Sequence, residues 1–191
     1  MRICFDMDGV LTSFEKNVRL VAEEMWPGKM PENYIPLDWD YTDIFTKKEW
    51  SAVWDKIKTI PNFWLRQPEM PENVQALKDF RLVNSAPIWF LTSRQATGGV
   101  SAQYQTQLWL LQRQLIGLGD TSKVIAVSKP EEKEQHIKEL GIDFSIDDLS
   151  ETVVRHNLIP NHKAYVLDQP WNQHCKEPRV YSVKQFLEII S

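Results

Sequence analysis

Five short apolar runs, each closed by a polar or acidic residue, set the rhythm of this chain. Ile3-Cys4-Phe5 stops at Asp6, Ile88 to Leu91 at Thr92, and Val124 to Val127 at Ser128. Phe144 to Ile146 stops at Asp147, and Ala164 to Leu167 at Asp168. All are of strand length, and most are rich in β-branched or aromatic residues. Between the later runs lie segments of helical length, such as Ser101 to Leu115 and Pro130 to Leu140. Strands alternating with helices predict an α/β fold, a parallel sheet covered by helices on both faces. Ligands of such sheets bind beyond the carboxyl ends of the strands, which is where the Asp, Thr, Ser and Lys residues fall.

The stretch between the first two strands has another character. From about Ser13 to Phe80 it reads as helices joined by loops containing Pro27, Pro31, Pro36, Pro61, Pro68 and Pro71. Trp50 and Trp54 stand four apart on a helix expected over Thr46 to Ile57, with Thr46 as N-cap and Glu49 completing a capping box. No strand pattern interrupts it. The expected organisation is a catalytic core of 1–12 and 81–191 with a small helical cap, 13–80, inserted after the first strand.

Composition narrows the function. The 191 residues are 42% hydrophobic and 25% charged, as in a globular protein with a sizeable core. A formal charge of −4 gives no general basic field, which argues against duplex nucleic acid as a partner. An acidic protein that handles phosphates must build positive potential locally. Cys4 and Cys175 have no metal-ligand spacing and no disulfide framework, which suits a reducing compartment, with Cys4 expected to be a buried thiol. No signal peptide or membrane-length apolar run is read at the N-terminus, so the expected location is the cytoplasm and a membrane is not an expected partner. The pattern allows a homodimer without specifying one.

Asp6-Met7-Asp8-Gly9-Val10 carries the strongest chemical signal. Side chains at i and i+2 of a strand share a side, roughly 6–7 Å apart at Cα. Two carboxylates there can divide a phosphoryl transfer, one attacking phosphorus and the other moving protons. An Asp-Gly pair is also common in solvated turns. Asp147-Asp148 closes the fourth run, and adjacent acids suit a hard cation such as Mg²⁺; a helix start capped by Asp148 is the plainer alternative. Thr92-Ser93 offers hydroxyl and N–H donors, although Ser and Thr often cap helices. Lys129 supplies a cation after the third run. Acids, hydroxyl, lysine and acids at successive strand ends are the parts phosphoryl transfer requires.

This order resembles the haloacid dehalogenase superfamily. Asp6 to Val10 match its Asp-x-Asp-Gly-(Val/Thr) motif, Thr92 its second, Lys129 its third and Asp147-Asp148 its fourth. Lys123 competes for the third role but precedes a strand instead of following it. The resemblance implies a Rossmann-like core, with Asp6 as nucleophile and Mg²⁺ ligand. Asp8 would be general acid/base and bind the metal through its carbonyl. Thr92, Ser93 and Lys129 would bind phosphate, Asp147 the metal, and Asp148 would support that shell. An acid at Asp8 excludes the dehalogenase and ion-pump branches, leaving phosphatase and phosphomutase.

Asp6 to Glu15, Asn62-Phe63-Trp64, Met70-Pro71 and Val166 to Asn172 look like the 5′(3′)-deoxyribonucleotidase family. That resemblance implies a nucleotide substrate held by Phe14, Phe63 and Trp64. The family's phosphate-contacting lysine after the second motif has no counterpart, since Gln95 to Leu118 contains no lysine. Arg94 stands as its substitute for phosphate. The expectation is a Mg²⁺-dependent phosphatase hydrolysing a nucleoside or deoxynucleoside monophosphate through an aspartyl-phosphate. The alternatives are a phosphatase for another small ester or a nucleic-acid end, and a non-catalytic phosphate binder of the same fold. His136, His156, His162 and His174 share no ligand spacing, and the run Lys129 to Lys138 reads mainly as a solvated helix face.

Overall fold

The computed structural model describes residues 1–191, apart from the side chains of Thr121 and Ser122. Among the described residues one parallel sheet has the order β3-β2-β1-β4-β5-β6. Its strands are β1 (Ile3–Phe5), β2 (Ile88–Ser93), β3 (Val124–Val127), β4 (Phe144–Asp147), β5 (Lys163–Leu167) and β6 (Arg179–Val180). The five apolar runs are thus the first five strands. The sixth, two residues at the edge, is too short to leave an apolar run of its own. The first strand lies between the second and fourth, so chain direction across the sheet reverses beside Asp6. That reversal opens a crevice at the carboxyl edge.

Period-two burial explains the layers. Ile3 and Phe5 of β1, Phe90 of β2, Ile146 of β4, and Tyr165 and Leu167 of β5 face one main core. It is completed by α3 (Pro71–Val83), α4 (Ala102–Gln112) and α7 (Val183–Ile190). Cys4 and Leu91 point the other way, toward Ile137 of α5 (Lys133–Leu140), while Ala164 and Val166 meet Val153 of α6 (Ser150–His156). Helices therefore cover both faces. Cys4 is buried and unpaired, and burial pushes its thiol pKa up, so it is an inert packing residue. Two expected helices are shorter than their patterns: Gln114 adopts a left-handed φ of 58° beyond α4, and Pro130–Glu132 forms a 3₁₀ turn before α5.

Between β1 and β2 stand α1 (Phe14–Met25), α2 (Lys47–Thr59) and a 3₁₀ turn, Phe63–Arg66. The start of α2 carries both bonds of the capping box: Glu49 N–H donates to Thr46 Oγ1, and Thr46 N–H donates to the Glu49 carboxylate. A separate aromatic core binds these elements together, built from Phe14, Tyr41, Phe45, Trp50, Phe63 and Trp64. Helix α3 begins inside the expected 13–80 cap and runs past it to Val83, and its Val74, Leu77 and Phe80 pack into the main core. The segment 13–80 therefore holds two packing groups, divided after the 3₁₀ turn. Among the described residues no helix is long and apolar enough to cross a membrane.

Candidate active site

Asp6 directly follows β1, and its N–H donates to Ile146 O of the neighbouring strand at 3.0 Å, which fixes the backbone at the sheet edge. The chain then turns within three residues. Gly9 permits this at φ 76°, and a Cβ there would stand 2.2 Å from Asp148 Oδ2. Any side chain at position 9 would therefore displace the Asp148 carboxylate.

Asp6, Asp147 and Asp148 are buried, with ligand oxygens within 4.8 Å of one another. Lys133, at the first turn of α5, donates to Asp6 Oδ1 at 2.7 Å and to Asp147 Oδ2 at 2.8 Å. Burial raises the Asp6 pKa to about 7; Lys133 opposes the shift, and Asp147 and Asp8 add to it. Asp148 is also raised, by burial and then by Asp147 and Asp6. Burial would lower Lys133, but Asp147 and Asp6 outweigh it and hold the ammonium. Three clustered carboxylates against one ammonium leave a surplus of negative charge and free oxygen lone pairs, a donor set that fits a divalent cation preferring oxygen ligands.

Lys129 was the expected third-motif lysine, and the geometry corrects this. Lys129 is exposed, in extended backbone ahead of Pro130, whereas Lys133 is 4% exposed and lies against Asp6. The 3₁₀ turn carries the chain away from the edge at Lys129, and the first turn of α5 brings it back. A signal for this was present. Lys133 and Ile137 share the inward face of α5 at i,i+4 spacing, so the run 129–138 is not wholly a solvated face. Lys123 lies ahead of β3 and pairs with Asp120, away from the crevice.

Arg94 requires a second correction. Its side chain is fully buried, with Nε and Nη2 donating to Asp8 Oδ2 and Oδ1 at 2.8 and 2.9 Å and Nη1 to Thr106 Oγ1 at 2.9 Å. The guanidinium is a clamp on Asp8, not a free phosphate contact. Thr12 Oγ1 also donates to Asp8 Oδ1 at 2.7 Å, and Thr92 Oγ1 lies 3.5 Å from Oδ2. Thr106, at one turn from its α4 backbone acceptor Ala102 O, gave no sequence signal of this role.

A cavity of about 240 Å³ brings together Asp6, Asp8, Thr92, Ser93, Lys133, Asp147 and Asp148. Its opposite wall is aromatic: Phe14, Trp39, Trp54 and Trp64. Phe14 stacks on Trp39 and Trp54 at 5.5 Å and on Trp64 at 5.9 Å. Trp64 is fixed by Nε1 donating to Gln95 O at 2.8 Å, with the Arg94 guanidinium carbon 4.9 Å from its ring. Phe63, expected to line the site, lies behind this wall, edge-on to Phe14 and Trp64. Its inward turn follows from the left-handed backbone of Asn62 (φ 55°).

The model of the family described as "5' nucleotidase, deoxy (Pyrimidine), cytosolic type C protein" matches residues 1–191. The chain belongs to this family. A HAD family hydrolase from Deinococcus radiodurans, solved with bound phosphate and sodium, is similar in fold at TM-score 0.56 and 14% identity, over 95% of this chain and 90% of that one. L-2-haloacid dehalogenase from Xanthobacter autotrophicus gives 0.58 and 13%, over 99% and 97%. A HAD-superfamily hydrolase, subfamily IA, from Geobacter sulfurreducens gives 0.58 and 12%, over 100% and 96%. At such identities these three speak for the fold. Nothing among the curated proteins matches. Family membership makes the chain a phosphatase of the nucleotidase type, a phosphoric monoester hydrolase with a haloacid dehalogenase-like fold.

Proposed function

We propose that this nucleotidase-family enzyme hydrolyses nucleoside or deoxynucleoside 5′(3′)-monophosphates through an aspartyl-phosphate on Asp6, with Mg²⁺ as cofactor. The observation that carries the reading is one cavity lined by the Asp6, Asp8 and Lys133 group together with four aromatic rings. In this scheme an Asp6 oxygen bonds to phosphorus as the bond to the substrate oxygen breaks, and Asp8 gives that oxygen a proton. Water then attacks phosphorus, Asp8 takes its proton, and cleavage of the acyl-phosphate bond restores Asp6. Both Asp8 oxygens accept from Arg94 or Thr12, so each proton transfer requires one of these bonds to be exchanged for a bond to the reacting oxygen. Lys133, Thr92 and Ser93 would receive the phosphoryl oxygens.

Asp6, Asp147 and Asp148 would hold Mg²⁺ by their carboxylates, with the Asp8 carbonyl as a further ligand. Bound there, the ion would neutralise charge on the phosphoryl group. Asp148 thus moves from supporting residue to candidate ligand because its oxygen joins the cluster. The family's cytosolic description supports a cytoplasmic location.

The test is a panel of nucleoside monophosphates with Mg²⁺ or with chelator, on wild type and Asp6→Asn. The expected result is metal-dependent release of phosphate in wild type only, because an amide is a poor nucleophile. Turnover in excess chelator removes the metal from the account, and near-normal Asp6→Asn rates remove the nucleophile.

A further inference from the structure

The end of the fifth strand lies beside that of the fourth, where Asp147 and Asp148 stand. The carboxylates of the acidic cluster are not held alike. Lys133 donates to Asp6 and Asp147, and Asp147 Oδ1 also accepts from Leu149 N–H at 2.9 Å. Asp148, 2% exposed, takes its side-chain hydrogen bond from Trp171, whose Nε1 donates to Oδ2 at 2.9 Å. Trp171 belongs to a 3₁₀ turn, Pro170–Asn172, just beyond β5. The turn is braced by Arg179 of β6, which donates to Asn172 Oδ1 and to Asn172 O, each at 2.8 Å. Its residues reach the site at two further points. Asn172 Nδ2 donates to Asp148 O at 2.8 Å, and Gln169 Nε2 donates to Gly9 O at 2.7 Å. The Trp171 ring also meets Trp39 of the aromatic wall, edge to face at 5.6 Å.

Buried carboxylates this close repel one another, and the hydrogen bonds from Lys133 tie down two of the three. Asp148 is the one that repulsion would swing aside. A carboxylate turns about its Cβ–Cγ bond, and an N–H donor on one oxygen fixes that turn and so aims the lone pairs of the other. The oxygen that Trp171 holds also packs against Gly9, where there is no room for a side chain. We propose that Trp171 is a positioning residue that fixes the Asp148 carboxylate as a ligand for the divalent cation. The inference rests on the reading of Asp148 as a ligand given above. Because Trp171 touches Trp39 as well, one side chain ties the metal ligand to the wall that the cap supplies.

The experiment measures the affinity of the substrate-free protein for Mn²⁺, from the loss of the free-ion EPR signal, in wild type, Trp171→Phe, Asp148→Ala and the double variant. Phenylalanine keeps a ring against Trp39 and removes the N–H. Affinity is expected to fall about 10- to 100-fold in Trp171→Phe, the usual cost of losing a donor to a metal ligand. In the Asp148→Ala background the same substitution should change affinity by less than about 2-fold, because the indole has no carboxylate left to aim. A ring that only supports the fold would weaken binding equally in both backgrounds. That result overturns the inference, as does wild-type affinity in Trp171→Phe. Replacement of Trp171 by benzothienylalanine, with sulfur in place of the N–H at nearly unchanged shape, should show the same loss and decides the question if the phenylalanine variant does not fold. Undiminished affinity in Asp148→Ala instead overturns the ligand reading itself, and the role of Trp171 with it.

Discussion

Replacing Lys133 by methionine keeps most of the length of the side chain and removes its charge. The ammonium makes hydrogen bonds of 2.7 and 2.8 Å to two buried carboxylates. Breaking a buried pair by removing one partner costs about 3–5 kcal/mol, because the remaining charge is left uncompensated. For a chain of this size each kcal/mol shifts Tm by about 2–4 °C, so the metal-free variant should melt roughly 10 °C lower at pH 8. The deficit should depend on pH, and its sign is fixed. Asp6 is raised from 3.8 to about 7 in the folded protein with Lys133 in place, and Lys133 works against that rise. Without the lysine the folded carboxyl is raised further. Below pH 7 folded Asp6 keeps its proton with or without Lys133, so the part of the deficit traced to Asp6 should be small near pH 5 and grow as pH climbs above 7. Mg²⁺ should restore part of the loss. Turnover of p-nitrophenyl phosphate should fall about 10²–10³-fold, as for removal of a donor to developing charge. Lys129→Ala, on an exposed residue, should stay within about 0.5 kcal/mol and keep its activity. Thermal unfolding at pH 5 and 8, with and without Mg²⁺, measures the first effect, and initial rates measure the second. A stable, active Lys133→Met, or an equal loss from Lys129→Ala, refutes the assignment of the buried lysine.

Two other predictions follow from the same geometry. Burial lowers His156 from 6.5 to about 4, so its neutral form stabilises the fold above pH 6.5 and that contribution is lost as pH falls toward 4. His156→Gln should therefore show a stability difference from wild type that changes by about 3 kcal/mol across this window in urea unfolding, and a constant difference would remove the histidine from acid sensitivity. Phe14→Ala takes away a ring stacked on three tryptophans and should destabilise by about 3–5 kcal/mol. It should also lower kcat/KM for a nucleotide roughly 5- to 150-fold more than for p-nitrophenyl phosphate, and equal losses on the two substrates would make Phe14 packing only.

How much of this was written in the sequence depends on the range of the interaction. Strand identity was local: each apolar run set its own period and stopped at a polar residue, so the first five strands, and Asp6 and Asp147 at their ends, could be read directly. The capping box at Thr46 and Glu49 was equally local. The inserted helices were visible as a loss of strand pattern, but their division was not. Whether α3 joins the aromatic core or the main one depends on α7, more than a hundred residues away in the chain.

The site divides in the same way. Motif residues fixed to strand ends were legible because a strand end has one position in the sheet. The lysine was misplaced because Lys129 and Lys133 differ by one helical turn, and only the path of the Pro130 turn decides which of them points at Asp6. Arg94 looked like a phosphate cation beside Thr92-Ser93. Its true partner, Asp8, lies 86 residues earlier in the chain and comes within 2.8 Å only when β1 and β2 pair. Phe63 and Trp64 are adjacent in sequence, yet one turns behind the wall and the other forms it, through the backbone angle at Asn62. Composition and period determined which residues are apolar, acidic or able to turn. Long-range strand pairing and helix docking decided which charges meet, because burial makes each charge seek its partner across the chain.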